Sequence, residues 1–182
     1  MAKRSFGGSM GLKLDVQKAF DTLDWQFLFD VLKKFGFHAK WIDWIQKILE
    51  STRLSIVVNG GPVGFFGVER GPRQGDQLLP MLFILAEEVL CRGLKSLRLK
   101  GLVKGLQGPR NAFTPSHLLF ADDLSIFIKA DLHGVKHLRK FLDTYQAYSG
   151  QAFNLDKSHM YFGPIPAARK LQIKEVLNIP EC

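Results

Sequence analysis

The stretch "HLLFADDLSIFIKA" at residues 117–130 places two adjacent carboxylates, Asp122 and Asp123, between two apolar runs. Neighbouring side chains of a strand point to opposite faces, so two adjacent aspartates inside a strand would send one charge toward the core. A hairpin avoids that cost if Asp122 and Asp123 are its two loop residues. Because aspartate is a preferred turn residue, this stretch alone is compatible both with an ordinary surface turn and with a functional carboxylate pair.

A second apolar pattern, "GLKLDVQKAF", predicts the first strand of the chain. Leu12, Leu14 and Val16 share one face of this strand, and Asp15 projects from the other face. If the strand lies beside the "FADD" hairpin, Asp15, Asp122 and Asp123 meet at one edge of a sheet. The position of Asp15 therefore links the two patterns.

The remaining elements follow from helical spacing, β-rich runs and turn signals. They come in the order two helices, a hairpin around "NGGP", a long helix opened by Pro80, the "FADD" hairpin, a helix ended by Gly150, a short strand at "HMYFG" and a helix over residues 167–177. This order predicts an α+β fold, with an antiparallel sheet and helices packed on one face. With 182 residues and 46% hydrophobic content, a single domain over residues 1–182 is expected.

Charge and apolar run length limit the partners. The formal net charge is +8, and six basic residues without an acid lie between Val89 and Ala121, which suits a polyanion but does not choose between DNA, RNA and an acidic protein. No apolar run is long enough to cross a bilayer or to form a secretory signal, so an intracellular protein without a membrane partner is predicted. Cys91 and Cys182 lie far apart in the sequence and are expected to be free thiols.

Three neighbouring carboxylates repel one another unless a cation neutralises them. Oxygen ligands select Mg²⁺ or Mn²⁺, and two such ions about 3.5 to 4 Å apart stabilise the attacking and leaving oxygens of phosphoryl transfer. A basic chain with an acidic metal cluster is suited to polymerising or cutting nucleic acid.

Four stretches resemble, in order and spacing, the palm motifs of reverse transcriptases. They are "KLDVQKAFDTLDW" (13–25), "RGPRQGDQLLPMLF" (70–83), "FADD" (120–123) and "SGQAFNLDKS" (149–158). The resemblance is to non-LTR (LINE-type) retrotransposons, particularly those of plants. It implies a polymerase palm with an RRM/ferredoxin-like core, part of the fingers at about residues 24–70, and a place within a larger polyprotein whose other fingers and thumb segments are largely missing here.

The resemblance also implies a metal site. Asp15 and Asp122 would bind two Mg²⁺ ions, with Mn²⁺ as a possible substitute, Asp123 would support the site, and the carbonyl of Val16 would join the metal shell. Lys157 matches a lysine that protonates the leaving pyrophosphate.

Further matches concern the nucleotide and the template. Phe20 matches an aromatic sugar gate that excludes a ribose 2′-OH, although a packing role is the better interpretation without the family. Arg73, Gln74 and Gly75 match the substrate-binding segment beside the incoming nucleotide and the template, where glycine permits close backbone approach.

The function implied is RNA-directed DNA polymerisation, in which an RNA template guides the addition of deoxynucleoside triphosphates to a DNA primer 3′-OH, in the nucleus. The alternative is a catalytically inactive, nucleic-acid-binding relic of a degenerate element; a metal-dependent nuclease has no support beyond the carboxylates. The sequence "GDQLLP" departs from the usual "GDPLSP", and this departure favours the relic. It places Leu79, which lacks a capping hydroxyl, at the expected N-cap of the helix opened by Pro80.

Overall fold

The computed structural model describes residues 8–71, 77–106 and 114–182. The elements, in chain order, are β1 (Ser9–Gln17), α1 (Ala19–Thr22), α2 (Trp25–Lys34), α3 (Ala39–Glu50), β2 (Arg53–Val58), β3 (Gly61–Gly67), α4 (Leu79–Leu99), β4 (His117–Phe120), β5 (Asp123–Lys129), α5 (Leu132–Ser149), β6 (Ala152–Phe162) and α6 (Ala167–Leu177). The predicted order of elements and the α+β class are confirmed, with α1 as an additional short helix.

The described chain forms two compact units. The sheet unit comprises residues 8–17, 90–106, 114–147 and 152–182, and the helical unit comprises residues 18–71, 77–89 and 148–151. The unit boundaries fall inside α4 and near the end of α5. The expected extent of the reverse transcriptase domain, with part of the fingers at about residues 24–70, stays a prediction.

The sheet unit is built on a four-stranded antiparallel sheet with the order β4-β5-β1-β6. Burial alternates along β1 and β5, because apolar side chains such as Leu12, Leu14, Leu124 and Ile126 all lie on one face. The other face, called the open face below, carries the intervening side chains. Its members on the three strands are Ser9, Gly11, Lys13 and Asp15 of β1, Asp123, Ser125, Phe127 and Lys129 of β5, and His159 and Tyr161 of β6.

Helices α4 and α5 supply further core to the sheet unit. The predicted stripe of α5 is buried, and it consists of Val135, Leu138, Leu142 and Tyr145. Gly93 of α4 lies so close to the Phe141 ring of α5 that an added Cβ would collide with it. Glycine therefore permits the close approach of these two helices.

Strand β6 is longer than the strand predicted at "HMYFG". Its pairing with β1 shifts register between Lys13 and Asp15, where Lys13 pairs with His159 but Asp15 pairs with Asn154. This irregularity inserts extra residues into β6 and breaks the period-two pattern by which a strand is recognised. The start of β6 was missed for that reason.

In the helical unit, Gly36 ends the α2 segment with φ +87, as predicted. The "NGGP" hairpin is present as the ribbon β2–β3 with Asn59 and Gly60 between its strands. Helix α4 begins at Leu79, so the expectation that Pro80 opens it with Leu79 as the N-cap is wrong by one residue. The amide of Leu82 bonds to the carbonyl of Leu78, which places Leu78 at the helix start.

Within the described ranges, no helix has the length and apolar character needed to span a membrane. Cys91 is partly buried and Cys182 is exposed, and no disulfide joins these two described cysteines.

Candidate carboxylate site

The turn of the "FADD" hairpin differs from the predicted turn by one residue. Phe120 pairs with Asp123, so the two loop residues are Ala121 and Asp122, and Asp123 is the first residue of β5. The prediction that Asp122 and Asp123 both occupy the loop is therefore wrong. Asp123 enters the strand without burying its charge, because its side chain points to the open face. In the register of the two strands it lies opposite Asp15 of β1.

Ala121 adopts φ +52 in this turn. An L-residue other than glycine in the left-handed region costs about 1 to 2 kcal/mol, because its Cβ crowds the following carbonyl. Such strain persists where the surrounding structure over-determines the backbone, as the pairing of β5 with both β4 and β1 does here. The strained residue directly precedes Asp122.

Backbone pairing brings the three aspartates to one end of the sheet. Asp15 and Asp123 are cross-strand partners, and the amide of Val16 donates a hydrogen bond of 2.7 Å to the carbonyl of Asp122. Side chains at partner positions have Cβ atoms about 4.5 to 5.5 Å apart. The predicted neighbourhood of Asp15, Asp122 and Asp123 at a sheet edge is thus present in the backbone.

Lys13 forms an ion pair with one of the carboxylates at this edge. Its Nζ lies 3.1 Å from Asp123 Oδ1, and the two side chains are 42% and 45% exposed. The hydrogen bond to Asp123, followed by the negative charge of that carboxylate, raises the pKa of the Lys13 amine above its ordinary value. Lys13 lies two residues before Asp15, on the same face, so period two could have revealed it from the sequence.

The donor set suits a hard divalent cation, since carboxylate and carbonyl oxygens are the ligands that Mg²⁺ takes. Among the residues that the structure describes, however, no three acidic, histidine or cysteine side chains stand close enough together to hold a metal ion. The ion pair with Lys13 occupies Asp123. The oxygen donors therefore fit the implied ions chemically, and binding requires the aspartate side chains to turn toward one another and Lys13 to release Asp123.

The irregular part of β6 supports Asp15 from the other side. Buried Ser158 accepts a hydrogen bond of 3.2 Å from the Asp15 amide and donates one of 2.6 Å to the Asn154 carbonyl. Asn154 Oδ1 also accepts bonds from the amides of Asp156 and Lys157. Sequence reasoning missed Ser158, because a bulge has no periodic signal.

Lys157 itself is exposed in this bulge. The lysine therefore belongs to the segment of β6 that contacts the Asp15 backbone. Its role as a proton donor stays a prediction.

The helical unit contains the other matched residues. The Phe20 ring stacks on the ring of buried Phe83, with centroids 4.1 Å apart and an interplanar angle of 26°. Gly71, with φ +67, donates its amide to the Leu23 carbonyl and accepts a bond from Trp25 Nε1. A Cβ at Gly71 would lie 2.6 Å from the Asp21 backbone, so only glycine fits where the matched segment begins.

The predicted substrate-binding residues Arg73, Gln74 and Gly75 lie outside the described residues. Their roles, and that of Phe20 as a sugar gate, stay predictions.

Comparison with known proteins places these features in a family. The family model for reverse transcriptase (RNA-dependent DNA polymerase) matches residues 2–175. The chain is 35% identical over 118 residues to an uncharacterized mitochondrial protein of Arabidopsis thaliana, which covers 62% of this chain and 93% of that protein. It is 35% identical over 144 residues to the Pol polyprotein of the type-2 retrotransposable element R2DM of Drosophila melanogaster, covering 79% of this chain and 13% of the polyprotein.

A third relative is a 149 kDa protein of transposon TX1 of Xenopus laevis, 32% identical over 148 residues, of which this chain covers 11%. Among solved structures, apo telomerase from Candida tropicalis, truncated from its C-terminal domain, has a similar fold, with a TM-score of 0.66 at 18% identity over 91% of this chain and 32% of that chain. The predicted resemblance to reverse transcriptases of retrotransposons and the predicted palm-type fold are both confirmed.

Proposed function

The chain belongs to the reverse transcriptase (RNA-dependent DNA polymerase) family, and from that membership we propose that it carries the catalytic palm of a retrotransposon polymerase. By family it is an RNA-directed DNA polymerase. The reaction we assign is the addition of deoxynucleoside triphosphates to a DNA primer 3′-OH, guided by an RNA template. The chain spans about an eighth of the R2DM polyprotein, so the complete protein is larger in that relative.

The observation that carries this proposal is the meeting of Asp15, Asp122 and Asp123 at one end of the sheet through direct backbone pairing. Asp15 and Asp122, with the carbonyl of Val16, would hold two Mg²⁺ ions, and Asp123 would adjoin them. When bound, these ions supply charge neutralisation at the attacking and leaving oxygens. Ser158 and the hydrogen bond between Val16 and Asp122 hold the backbone segments that carry the carboxylates.

Three other residues have assigned tasks in this proposal. Lys157 would give a proton to the leaving pyrophosphate, which lowers the charge on the departing oxygen. Phe20, held by its stack on Phe83, would exclude a ribose 2′-OH. Lys13 would hold Asp123 as an ion pair and then release it, so that the carboxylate keeps a neutralising partner before the cation enters.

A second candidate function is binding of nucleic acid without turnover. It is favoured by two observations: Lys13 and Asp123 form an ion pair, and the described residues include no group of three ligating side chains. In this case the carboxylates contribute only negative charge. Their removal would then strengthen the attraction for a polyanion.

Single-nucleotide addition separates the two candidates. The full chain is incubated with Mg²⁺, labelled dTTP and oligo(dT) annealed to poly(rA), beside the variants Asp122→Asn and Asp30→Asn, the latter changing an exposed aspartate of α2. Polymerase chemistry predicts extension by the wild type and by Asp30→Asn, with loss in Asp122→Asn. Extension that survives in Asp122→Asn would contradict the proposed role of this carboxylate, and tighter nucleic-acid binding by an inactive chain would support the second candidate.

The nucleus follows as the proposed place of action, since a retrotransposon polymerase of this type writes its DNA into a genome. Fluorescence microscopy of the tagged protein tests this, and exclusion from the nucleus would contradict it.

A further inference from the structure

Two histidines lie one helical turn apart near the start of α5, outside the candidate carboxylate site. His133 and His137 occupy positions i and i+4 of the helix, the spacing at which side chains meet on one face. Their rings pack edge to face, with centroids 4.5 Å apart and an interplanar angle of 75°. The two Nε2 atoms lie 3.1 Å apart. Each ring therefore directs the same nitrogen toward the other ring.

This distance suits two imidazoles that bind one transition-metal ion. Bonds from such an ion to histidine nitrogen are about 2.0 to 2.1 Å long, so two nitrogens 3.1 Å apart subtend about 95 to 102° at a shared ion. That angle lies between the right angle of octahedral coordination and the wider angle of a tetrahedron. The backbone of α5 thus sets the spacing that a chelate of two histidines requires.

Both rings are accessible to an ion from solvent. His133 is exposed and His137 is partly exposed. In their mutual hydrogen bond one Nε2 carries the proton and the other Nε2 accepts it. Transfer of that proton to Nδ1 of the same ring is a change of tautomer, and it leaves a lone pair on both Nε2 atoms. Within the described ranges, the structure gives neither ring another hydrogen-bond partner that would oppose this change.

The charges around the pair identify the class of ion. Lys136 and Lys140 are exposed on α5, each three residues after one of the histidines, and the helix directs the positive end of its dipole toward this turn. No third acidic, histidine or cysteine side chain of the described ranges forms a ligand group with the pair. Mg²⁺, which takes oxygen ligands, is therefore disfavoured here, whereas Zn²⁺, Ni²⁺ and Cu²⁺ bind imidazole nitrogen.

We propose that His133 and His137 form a bidentate site for a divalent ion of the Zn²⁺, Ni²⁺ and Cu²⁺ class, with water in the remaining coordination positions. Both histidines belong to the sheet unit, in which β5 separates them from the carboxylates. The seven residues from Asp123 to Lys129 span about 20 Å along that strand, and α5 begins beyond its far end. The histidine site is thus separate from the Mg²⁺ site proposed above and does not rest on the proposed function.

A Zn²⁺ titration of the full chain, followed by ¹⁵N NMR of the histidine side chains, tests this proposal. Excess Mg²⁺ in the buffer occupies the carboxylates. We expect the Nε2 resonances of His133 and His137 to shift together and to saturate at one ion per chain. His38, whose Nδ1 accepts a hydrogen bond from the Lys40 amide, is the control in the same spectrum and should not shift over this range. Resonances of the pair that do not move at about 1 mM Zn²⁺ would overturn the proposal.

Two variants distinguish a chelate from two independent histidines. His137→Ala removes one ligand and is expected to weaken Zn²⁺ binding at least about 100-fold, because the second contact of a bidentate site no longer follows from the first. The double variant His133→Lys with Lys136→His keeps the composition and the net charge, but its histidines are neighbours in sequence and do not face each other. We expect the same loss. Wild-type affinity in either variant would overturn the proposal, and the wild-type resonances decide if circular dichroism shows that a variant has lost its fold.

Thermal unfolding gives a second readout, because an ion that binds only the native helix raises the melting temperature. Zn²⁺ is expected to raise it equally in the wild type and in Asp122→Asn, and not in the double variant. A rise that persists in the double variant and disappears in Cys182→Ser would assign the ion to the exposed thiol and overturn the proposal. Saturation at one ion per two chains, with a dimer in sedimentation, would place the ion between two copies and overturn the single-chain site too.

Discussion

The two hairpins that the structure describes differ in what stabilises them, which is the turn in one and the strands in the other. The β2–β3 ribbon turns through Asn59 and Gly60, both at positive φ, which is the preferred residue pair for a two-residue hairpin loop. Its strands are exposed over almost their whole length. The β4–β5 hairpin turns through Ala121 and Asp122, with alanine in the left-handed region, but β5 buries every second residue.

The difference shows what holds each hairpin together. In the ribbon, local turn chemistry specifies the fold and burial contributes little. In the β4–β5 hairpin, the buried side chains Leu124, Ile126 and Ile128 and the pairing with β1 stabilise a turn that the local sequence disfavours. Strain held in this way is common at functional sites, and here it adjoins Asp122.

The largest expected effect comes from truncating a buried side chain of the β4–β5 hairpin. Leu124 is fully buried, so Leu124→Ala is expected to lower the free energy of unfolding by about 2 to 5 kcal/mol. Val57 of the ribbon is 71% exposed, and Val57→Ala is expected to change the free energy by less than about 0.5 kcal/mol. Urea unfolding of both variants measures the contrast. Equal losses would show that the ribbon has a core of its own.

A smaller effect is expected at the bulge of β6. Ser158→Ala removes the acceptor of the Asp15 amide and is expected to cost about 1 to 3 kcal/mol, because a partly buried donor loses its partner. The control is Ser55→Ala on exposed β2, which is expected to be nearly neutral. Thermal unfolding and amide exchange at Asp15 report the two changes. A protected Asp15 amide in Ser158→Ala would contradict the support assigned to the serine.

The two turns should respond with opposite sign to exchange between alanine and glycine. Ala121→Gly relieves the left-handed alanine and is expected to stabilise the protein by about 0.5 to 1 kcal/mol. Gly60→Ala places a Cβ at φ +82 and is expected to destabilise the ribbon by about 1 kcal/mol. Chemical unfolding gives both values, and a destabilised Ala121→Gly would argue against strain at the "FADD" turn.

The smallest effect concerns β6, an edge strand of the four-stranded sheet. Glu181 bridges to β6 at Met160, and hydrogen bonds from Lys170 and Lys174 lower the pKa of its carboxyl below the ordinary value of 4.5. Its contribution to stability is therefore present above pH 4.5 and is lost as the pH falls through the lowered pKa. The melting temperatures of wild type and Glu181→Gln should converge on acidification; a gap that widens would contradict this sign.

Much of the fold was predictable because apolar periodicity reports burial. The alternation in β1 and β5, the stripe of α5 and the glycines that end helices gave the element order and the antiparallel sheet. The turn of "FADD" was misplaced by one residue because the pairing of Asp123 with Asp15 is a contact between segments distant in sequence. No local pattern of turn residues contains that information.

The candidate site was predictable in part. Family motifs identified the carboxylates, and strand pairing brings their backbone positions together. The ion pair of Lys13 with Asp123 depends on the register of β1 and β5, and the hydrogen bond from Asp15 to Ser158 depends on the irregularity in β6. The sequence contained a signal for Lys13, since it shares a strand face with Asp15. It contained none for Ser158, because the extra residues of β6 interrupt the alternation on which such a signal depends.

The central claim is that Asp15 and Asp122 bind a divalent cation beside the turn of the β4–β5 hairpin. Fe²⁺ can replace Mg²⁺ at oxygen sites, and with ascorbate and peroxide it cuts the backbone beside the bound ion, so the cut positions map the site without requiring synthesis. The account predicts cuts near residues 13–17 and 120–124 that excess Mg²⁺ suppresses and that Asp15→Asn and Asp122→Asn abolish. Cuts at those segments that persist in both variants, or cleavage confined to other segments, would contradict it.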